Sequence, residues 1–188
     1  MKPGPPIRDI LSNPNALTLF RVLSAPVIVI LLLFSNRLVT FLAAVLFSVA
    51  AITDYLDGYF ARQRGLVSNF GKIMDPLADK LLVSSACIML ASHGWIPAWV
   101  VWVIIGREMA VTGLRNVITQ SGGDVSASSL GKYKTGFQIA AIIPLLFHYS
   151  YFGIDMDAIG QFFLWGALIF TVWSGADYFI RFRHLFRD

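Results

Sequence analysis

The chain has 188 residues, of which 56% are hydrophobic and 14% charged, and a mean hydropathy of +0.67; soluble domains carry roughly 25% charged residues. That composition excludes an ordinary water-soluble domain and predicts a chain that lives in a bilayer. A net charge of +4 and a pI near 9.4 point to a basic face that meets anionic membrane lipid or phosphate, with no sign of nucleic acid as a partner.

The N-terminal segment 1–15, MKPGPPIRDILSNPN, is polar and Pro-rich where a cleavable signal peptide needs an apolar core, so the first span is expected to direct insertion. In the stretch NPNALTLFR that follows, Asn15 and Thr18 can hydrogen-bond, and Arg21 falls about one turn inside the first helix. The plain reading of these residues is a helix cap and a snorkelling arginine. Six windows are apolar enough and near the ~20 residues needed to cross the hydrocarbon core: 17–34, 39–60, 73–92, 96–118, 134–152 and 158–180. Few residues remain outside them, which predicts an all-α integral membrane protein, one membrane domain over 1–188 with six transmembrane helices. The connections SNR, SHGW and YFGIDMD are short, whereas TQSGGDVSASSLGK, residues 119–132, is rich in Gly and Ser and reads as a cytoplasmic loop.

If the spans alternate, fourteen of the fifteen Lys and Arg residues fall on the side of both termini, and Arg37 alone falls on the other. Basic residues collect on the cytoplasmic side, so both termini are expected in the cytoplasm. Cys87 is the sole cysteine, which excludes a disulfide or a Cys-based metal site within one chain. His93, His148 and His184 stand near helix ends, far apart along the chain, and receive no role. Asp124, Asp155 and Asp157 read as loop or helix-end groups, and Asp177 as a partner of Arg181, four residues on.

The stretch DYLDGYFARQRGLVSNFGKIMDPLADK is different. Residues three and four apart share a helix face, so Asp54, Asp57, Gly58, Ala61 and Arg62 form one stripe and Gly71, Asp75 and Asp79 another. Four carboxylates crowded on facing helices repel strongly in a low dielectric unless a cation sits between them. Arg62, Lys72 and Lys80 can neutralise part of this charge, but oxygen-only ligands favour a hard divalent ion, Mg²⁺ or Mn²⁺, with two ions sharing the carboxylates. Gly58, Ala61 and Gly71 leave room on the same stripes, either for close helix packing or for a ligand such as a diphosphate.

This stretch resembles the motif of the CDP-alcohol phosphotransferases, DxxDGxxAR, eight residues, then GxxxDxxxD, and matches it at Asp54, Asp57, Gly58, Ala61, Arg62, Gly71, Asp75 and Asp79. The resemblance implies a six-helix bundle, usually a homodimer, that moves a substituted phosphate from a CDP-linked donor to an alcohol and releases CMP with the help of two divalent ions. By position it implies that Asp54, Asp57, Asp75 and Asp79 hold the metals. Asp79 would also be the base for the acceptor hydroxyl, and Gly58, Ala61, Arg62 and Gly71 would line the CDP pocket, bordered by Asn15 and Thr18.

Two further segments bear on the acceptor. GREMAVTGLR, residues 106–115, and GKYKTGFQ, residues 131–138, bring Arg107, Arg115, Lys132 and Lys134, a candidate cationic cluster beside the metal site that suits an acceptor already carrying a phosphate. Topology charge is the competing explanation. Both segments are similar to those of bacterial family members whose donor is CDP-diacylglycerol and whose acceptor is sn-glycerol 3-phosphate. They imply a phosphatidyltransferase of the bacterial cytoplasmic (inner) membrane, active on its cytoplasmic side, that makes phosphatidylglycerophosphate. Inositol phosphate, serine or phosphatidylglycerol are the alternative acceptors. A divalent-cation transporter is the alternative of another class, disfavoured because the aspartates lie near one face rather than at the midplane.

Overall fold

Each apolar window becomes a helix, and the residues between them supply the caps. The computed structural model describes residues 14–34, 36–64, 69–120 and 129–183, with side chains described at 16–34, 36–53, 74–120 and 131–183. In chain order the helices are α1 (Pro14–Leu32), α2 (Arg37–Arg64), α3 (Asn69–Ser92), α4 (Ala98–Gln120), α5 (Ser129–Phe147) and α6 (Met156–Arg181). Pro14 opens α1, where a missing N–H is no loss. Asn36 caps α2, its Oδ1 accepting from the Val39 N–H at 2.9 Å. Past the end of α3, Gly94 takes a φ of +73°, and the Trp95 N–H reaches back to the Leu90 carbonyl at 3.0 Å. That is a glycine C-cap, which satisfies carbonyls the helix leaves open.

Two expectations are corrected. The segment 119–132 is helical at both ends, because α4 runs to Gln120 and α5 begins at Ser129; residues 121–128 lie outside the described residues. The fold also contains a small hairpin, β1 (Ser150–Tyr151) paired antiparallel with β2 (Ile154–Asp155). Phe152 and Gly153 form its two-residue turn, both at positive φ, which matches the right-handed twist of the strands. Asp155 then caps α6 by accepting from the Ala158 N–H at 3.1 Å. Close by, His93 and His148 stack on Trp95 at ring-centroid distances of 4.8 and 3.8 Å, a gathering that their separation along the chain conceals.

The chain divides into two compact units, Met1–Met89 and Leu90–Asp188. In the first, α1 packs on α2, with Ala25, Ile28 and Leu32 buried on one helix and Ala43, Ala44, Phe47 and Ala50 on the other. Small side chains let such helices approach closely. In the second, α6 packs on both α5 and α4. Serine and threonine hydroxyls within the helices bond back to carbonyls one turn earlier, as Ser24 does to Phe20, Ser48 to Ala44 and Thr112 to Glu108. Large apolar side chains point outward on α1 (Leu19, Leu23, Val27, Ile30) and on α6 (Phe162, Ile169, Val172, Trp173). Among the described residues α6 is long and apolar enough to cross a membrane, and Ala16–Leu32 and Arg37–Thr53 are shorter apolar helices.

Two glycines set the α5–α6 contact. A Cβ on Gly160 would stand 2.5 Å from Leu145 Cγ and 2.9 Å from the Leu145 backbone nitrogen, and one on Gly166 would stand 2.6 Å from the Phe137 ring. At Gly136 a Cβ would meet nothing within 4 Å. Gly160→Ala is therefore expected to lower the unfolding midpoint in detergent, a loss of about 1–3 kcal/mol. Gly136→Ala is expected to hold or raise it, through helix propensity of up to ~1 kcal/mol. Equal shifts in the two variants would show that helix proximity at Gly160 is not what holds this contact.

Candidate active site

The first charged cluster lies within the Met1–Met89 unit. Thr18 and Arg21, three residues apart, share a face of α1; Asp75 and Asp79, four apart, share a face of α3. Arg21 bridges the two carboxylates, its Nη1 donating to Asp79 Oδ1 at 2.6 Å and its Nη2 to Asp75 Oδ1 at 3.1 Å. The Thr18 hydroxyl donates to the same Asp75 oxygen at 2.5 Å. The Arg21 side chain is 1% exposed, whereas those of Asp75 and Asp79 are 43% exposed. The expectation of a snorkelling arginine is thus overturned: the guanidinium is drawn inward because two carboxylates await it, and they in turn keep one side open.

Arg21 is a site residue that the sequence reading missed. Its signal was present in the shared face with Thr18, but the partners are 54 and 58 residues away. Thr18, expected beside the nucleotide, spends its hydroxyl on orienting Asp75.

The remaining motif residues keep their helical setting. Asp54, Asp57, Gly58, Ala61 and Arg62 ride on the unbroken backbone of α2, and Gly71 on the first turns of α3, so each stripe has the spacing that places its members on one side. The side chains of these residues, and that of Asn15 in the first turn of α1, lie outside the described residues. Among the described residues no three His, Cys, Asp or Glu side chains gather as a metal site. The chemistry of the donor set nevertheless fits hard cations, because the motif holds four carboxylates and offers oxygen donors alone.

The second cluster lies within the Leu90–Asp188 unit. Arg107 Nη1 donates to Glu108 Oε1 at 3.1 Å, and Lys134 Nζ donates to the same oxygen. Arg107 Nη2 donates to Ser174 Oγ at 3.1 Å, which ties α4 to α6. One turn beyond Lys134 on α5, Gln138 donates to the Thr171 hydroxyl at 3.4 Å. Of the four expected acceptor-binding cations, the structure therefore brings Arg107 and Lys134 together on Glu108. Arg115 on α4 and Lys132 on α5 are exposed, and Lys132 borders an apolar groove of about 400 Å³ between α5 and α6.

Paired carboxylates on one helix face, half open and backed by a buried guanidinium, are groups that suit metal-assisted phosphoryl transfer. Residues 11–173 match the CDP-alcohol phosphatidyltransferase family, and the chain belongs to it. It is similar to the CDP-diacylglycerol–glycerol-3-phosphate 3-phosphatidyltransferase of Bacillus subtilis (strain 168), with 47% identity covering 88% of this chain and 92% of that protein. It is also similar to proteins of the same name from Rickettsia typhi, at 40% identity over 88% of this chain and 94% of that one, and from Escherichia coli (strain K12), at 34% over 88% and 91%.

Arg21→Lys tests the bridge. A single ammonium keeps the charge but cannot span two carboxylates as a planar guanidinium does. The expected result is a folded protein with at least ~10-fold lower turnover, while Arg21→Ala also lowers stability by about 1–3 kcal/mol, less than a fully buried pair because the aspartates are half exposed. Turnover and unfolding midpoint in detergent read the two effects, and wild-type turnover in Arg21→Lys would remove the bridge from the site.

Proposed function

We propose that the chain is an integral membrane enzyme that moves the phosphatidyl group of CDP-diacylglycerol to sn-glycerol 3-phosphate, giving phosphatidylglycerophosphate and CMP. The observation that carries this reading is the Arg21-backed pair Asp75 and Asp79 within a complete family motif. Identity of up to 47% over most of the chain with relatives bearing that activity's name supports the choice of substrates.

In the proposed setting all six helices cross the inner membrane of a bacterium, with both termini and the active site on the cytoplasmic side. The charge asymmetry of fourteen basic residues against Arg37, and the outward apolar faces of α1 and α6, support it. A homodimer is part of the same proposal, on the family resemblance. Asp54, Asp57, Asp75 and Asp79 would hold two Mg²⁺ or Mn²⁺ ions, whose chemistry is to neutralise charge on the donor diphosphate and on the phosphate that departs with CMP.

The chain's own groups then have definite tasks. Gly58, Ala61 and Gly71 leave room for the CDP moiety, and Arg62 and Asn15 border it. Thr18 and Arg21 hold Asp75 and Asp79 in one orientation, so their open sides face the substrates. The acceptor hydroxyl oxygen bonds to the phosphatidyl phosphorus while the bond to the CMP oxygen breaks, and CMP leaves with that electron pair. The hydroxyl proton passes to the Asp79 carboxylate as the new bond forms. Arg107, Arg115, Lys132 and Lys134 are the proposed ligands of the acceptor's phosphate.

Purified protein in detergent, supplied with CDP-diacylglycerol and Mg²⁺, should release CMP with sn-glycerol 3-phosphate. It should not do so with serine, inositol phosphate, phosphatidylglycerol or plain glycerol, and EDTA should stop the reaction. Release with another acceptor would reassign the substrate. Asp79→Asn should lose at least ~100-fold in turnover, as general-base loss predicts, yet still bind CDP-diacylglycerol; retained turnover would remove Asp79 as the base.

A further inference from the structure

The Arg107–Glu108–Lys134 cluster sets two cations on one carboxylate. The side chains are 13%, 19% and 6% exposed in that order, so water screens them poorly. A single carboxylate oxygen, Glu108 Oε1, receives both the guanidinium and the ammonium. One cation would have sufficed to satisfy Glu108. A guanidinium offers five N–H donors and an ammonium three, more than one carboxylate oxygen can take, and Arg107 Nε is buried with no hydrogen-bond partner. Arg107 thus keeps a buried N–H that no described residue accepts, and an anion beside a guanidinium meets that need best.

The surroundings fix Arg107 in place. Ser174 accepts from its Nη2 at 3.1 Å and donates in turn to the Thr171 carbonyl at 3.2 Å. Gly175 makes way for its stem, because a Cβ there would come within 3.1 Å of Arg107 Cγ. Lys134 arrives from α5 and donates to Glu108. Without that carboxylate the ammonium and guanidinium would face one another as like charges and separate.

We infer that Glu108 is a positioning residue and a determinant of acceptor specificity. It holds the Arg107 guanidinium and the Lys134 ammonium at a fixed spacing, so that together they grip the phosphate of a phosphorylated alcohol and give an unphosphorylated alcohol nothing to bind. This rests on the proposal that those two cations take the acceptor phosphate. Glu108 acts through them and touches no reacting atom.

The test is steady-state CMP release by the full chain in detergent, at saturating CDP-diacylglycerol and Mg²⁺, with sn-glycerol 3-phosphate varied. Glu108→Gln is expected to raise the acceptor KM roughly ten- to a hundredfold, the effect of one misplaced charge-assisted contact, and to leave the donor KM within about twofold. Inhibition by inorganic phosphate, competitive with the acceptor, should weaken in parallel. Glu108→Asp, which keeps the charge, should recover part of the loss. A Glu108→Gln protein with an unchanged acceptor KM, beside Arg107→Ala and Lys134→Ala proteins in which it rises, would overturn the positioning role and keep the cluster. No rise in any of the three would overturn the acceptor reading of the cluster itself. Should Glu108→Gln not fold, Gly175→Ala presses on Arg107 from the opposite side: a raised acceptor KM with the donor KM unmoved supports the inference, and an unmoved acceptor KM overturns it.

Discussion

Charge removed from water has to be met by opposite charge, and in a chain with so few charged residues that requirement organises the Met1–Met89 unit. Arg21 is almost wholly buried, and Asp75 and Asp79 lie to either side of its guanidinium. Such a bridge adds little net stability, since desolvation of the three groups offsets most of the attraction. Its effect is geometric. With one oxygen of each carboxylate on a rigid planar fork and Thr18 on one of them, the aspartates cannot turn away from their open side. A carboxylate that waits in its working orientation loses no rotamer freedom when a substrate arrives.

The Leu90–Asp188 unit solves the same problem with the signs reversed. There one carboxylate, Glu108, lies between two cations, Arg107 and Lys134. The first arrangement sets two carboxylates on one cation and the second two cations on one carboxylate; in the proposed function divalent ions would join the first and the acceptor's phosphate the second. Transfer of a phosphatidyl group between a diphosphate donor and a phosphorylated acceptor needs both kinds of locus. In each, the minority charge is the organiser: Arg21 orients anions and Glu108 orients cations. Removing a minority charge is therefore a different perturbation from removing a ligand, because it leaves the binding groups present and disorders them.

The helices were legible because each apolar run is long and bounded by Pro, Asn or Gly, and periodicity is a local property. The family motif was legible for the same reason, since its spacings of three and four residues turn directly into helix faces. Arg21 was not. An arginine one turn inside an apolar helix reads equally as a snorkel or as half of a bridge, and the choice depends on α3, more than 50 residues later. Glu108 poses the same difficulty: it adjoins Arg107 in the sequence, while Lys134 reaches it from another helix. The hairpin had a visible cue in Phe152 and Gly153, but strands of two residues are too short for any alternation to show. Gly160 and Gly166 formed no recognisable small-residue repeat, and only the nearness of Leu145 and Phe137 gives them meaning.

The distribution of apolar groups follows from the same constraint seen from outside. On α1 the leucine, valine and isoleucine at 19, 23, 27 and 30 are exposed, while Thr18, Arg21 and Ser24 are buried. In water this would be inside out, because contiguous exposed apolar surface of that kind drives association. Against hydrocarbon it is the arrangement of lower free energy: apolar side chains meet lipid without penalty, and each hydroxyl or charge is satisfied within the protein, as Thr18 is by Asp75, Arg21 by two aspartates and Ser24 by the Phe20 carbonyl. The helix that carries Thr18 and Arg21 to the carboxylates must therefore present its opposite face to apolar surroundings, so in the proposed membrane setting a single amphipathic pattern serves both residence in lipid and the assembly of the site. A chain of this kind keeps its polar groups inward first to be stable in lipid, and a lipid-handling active site is assembled from what has been gathered there.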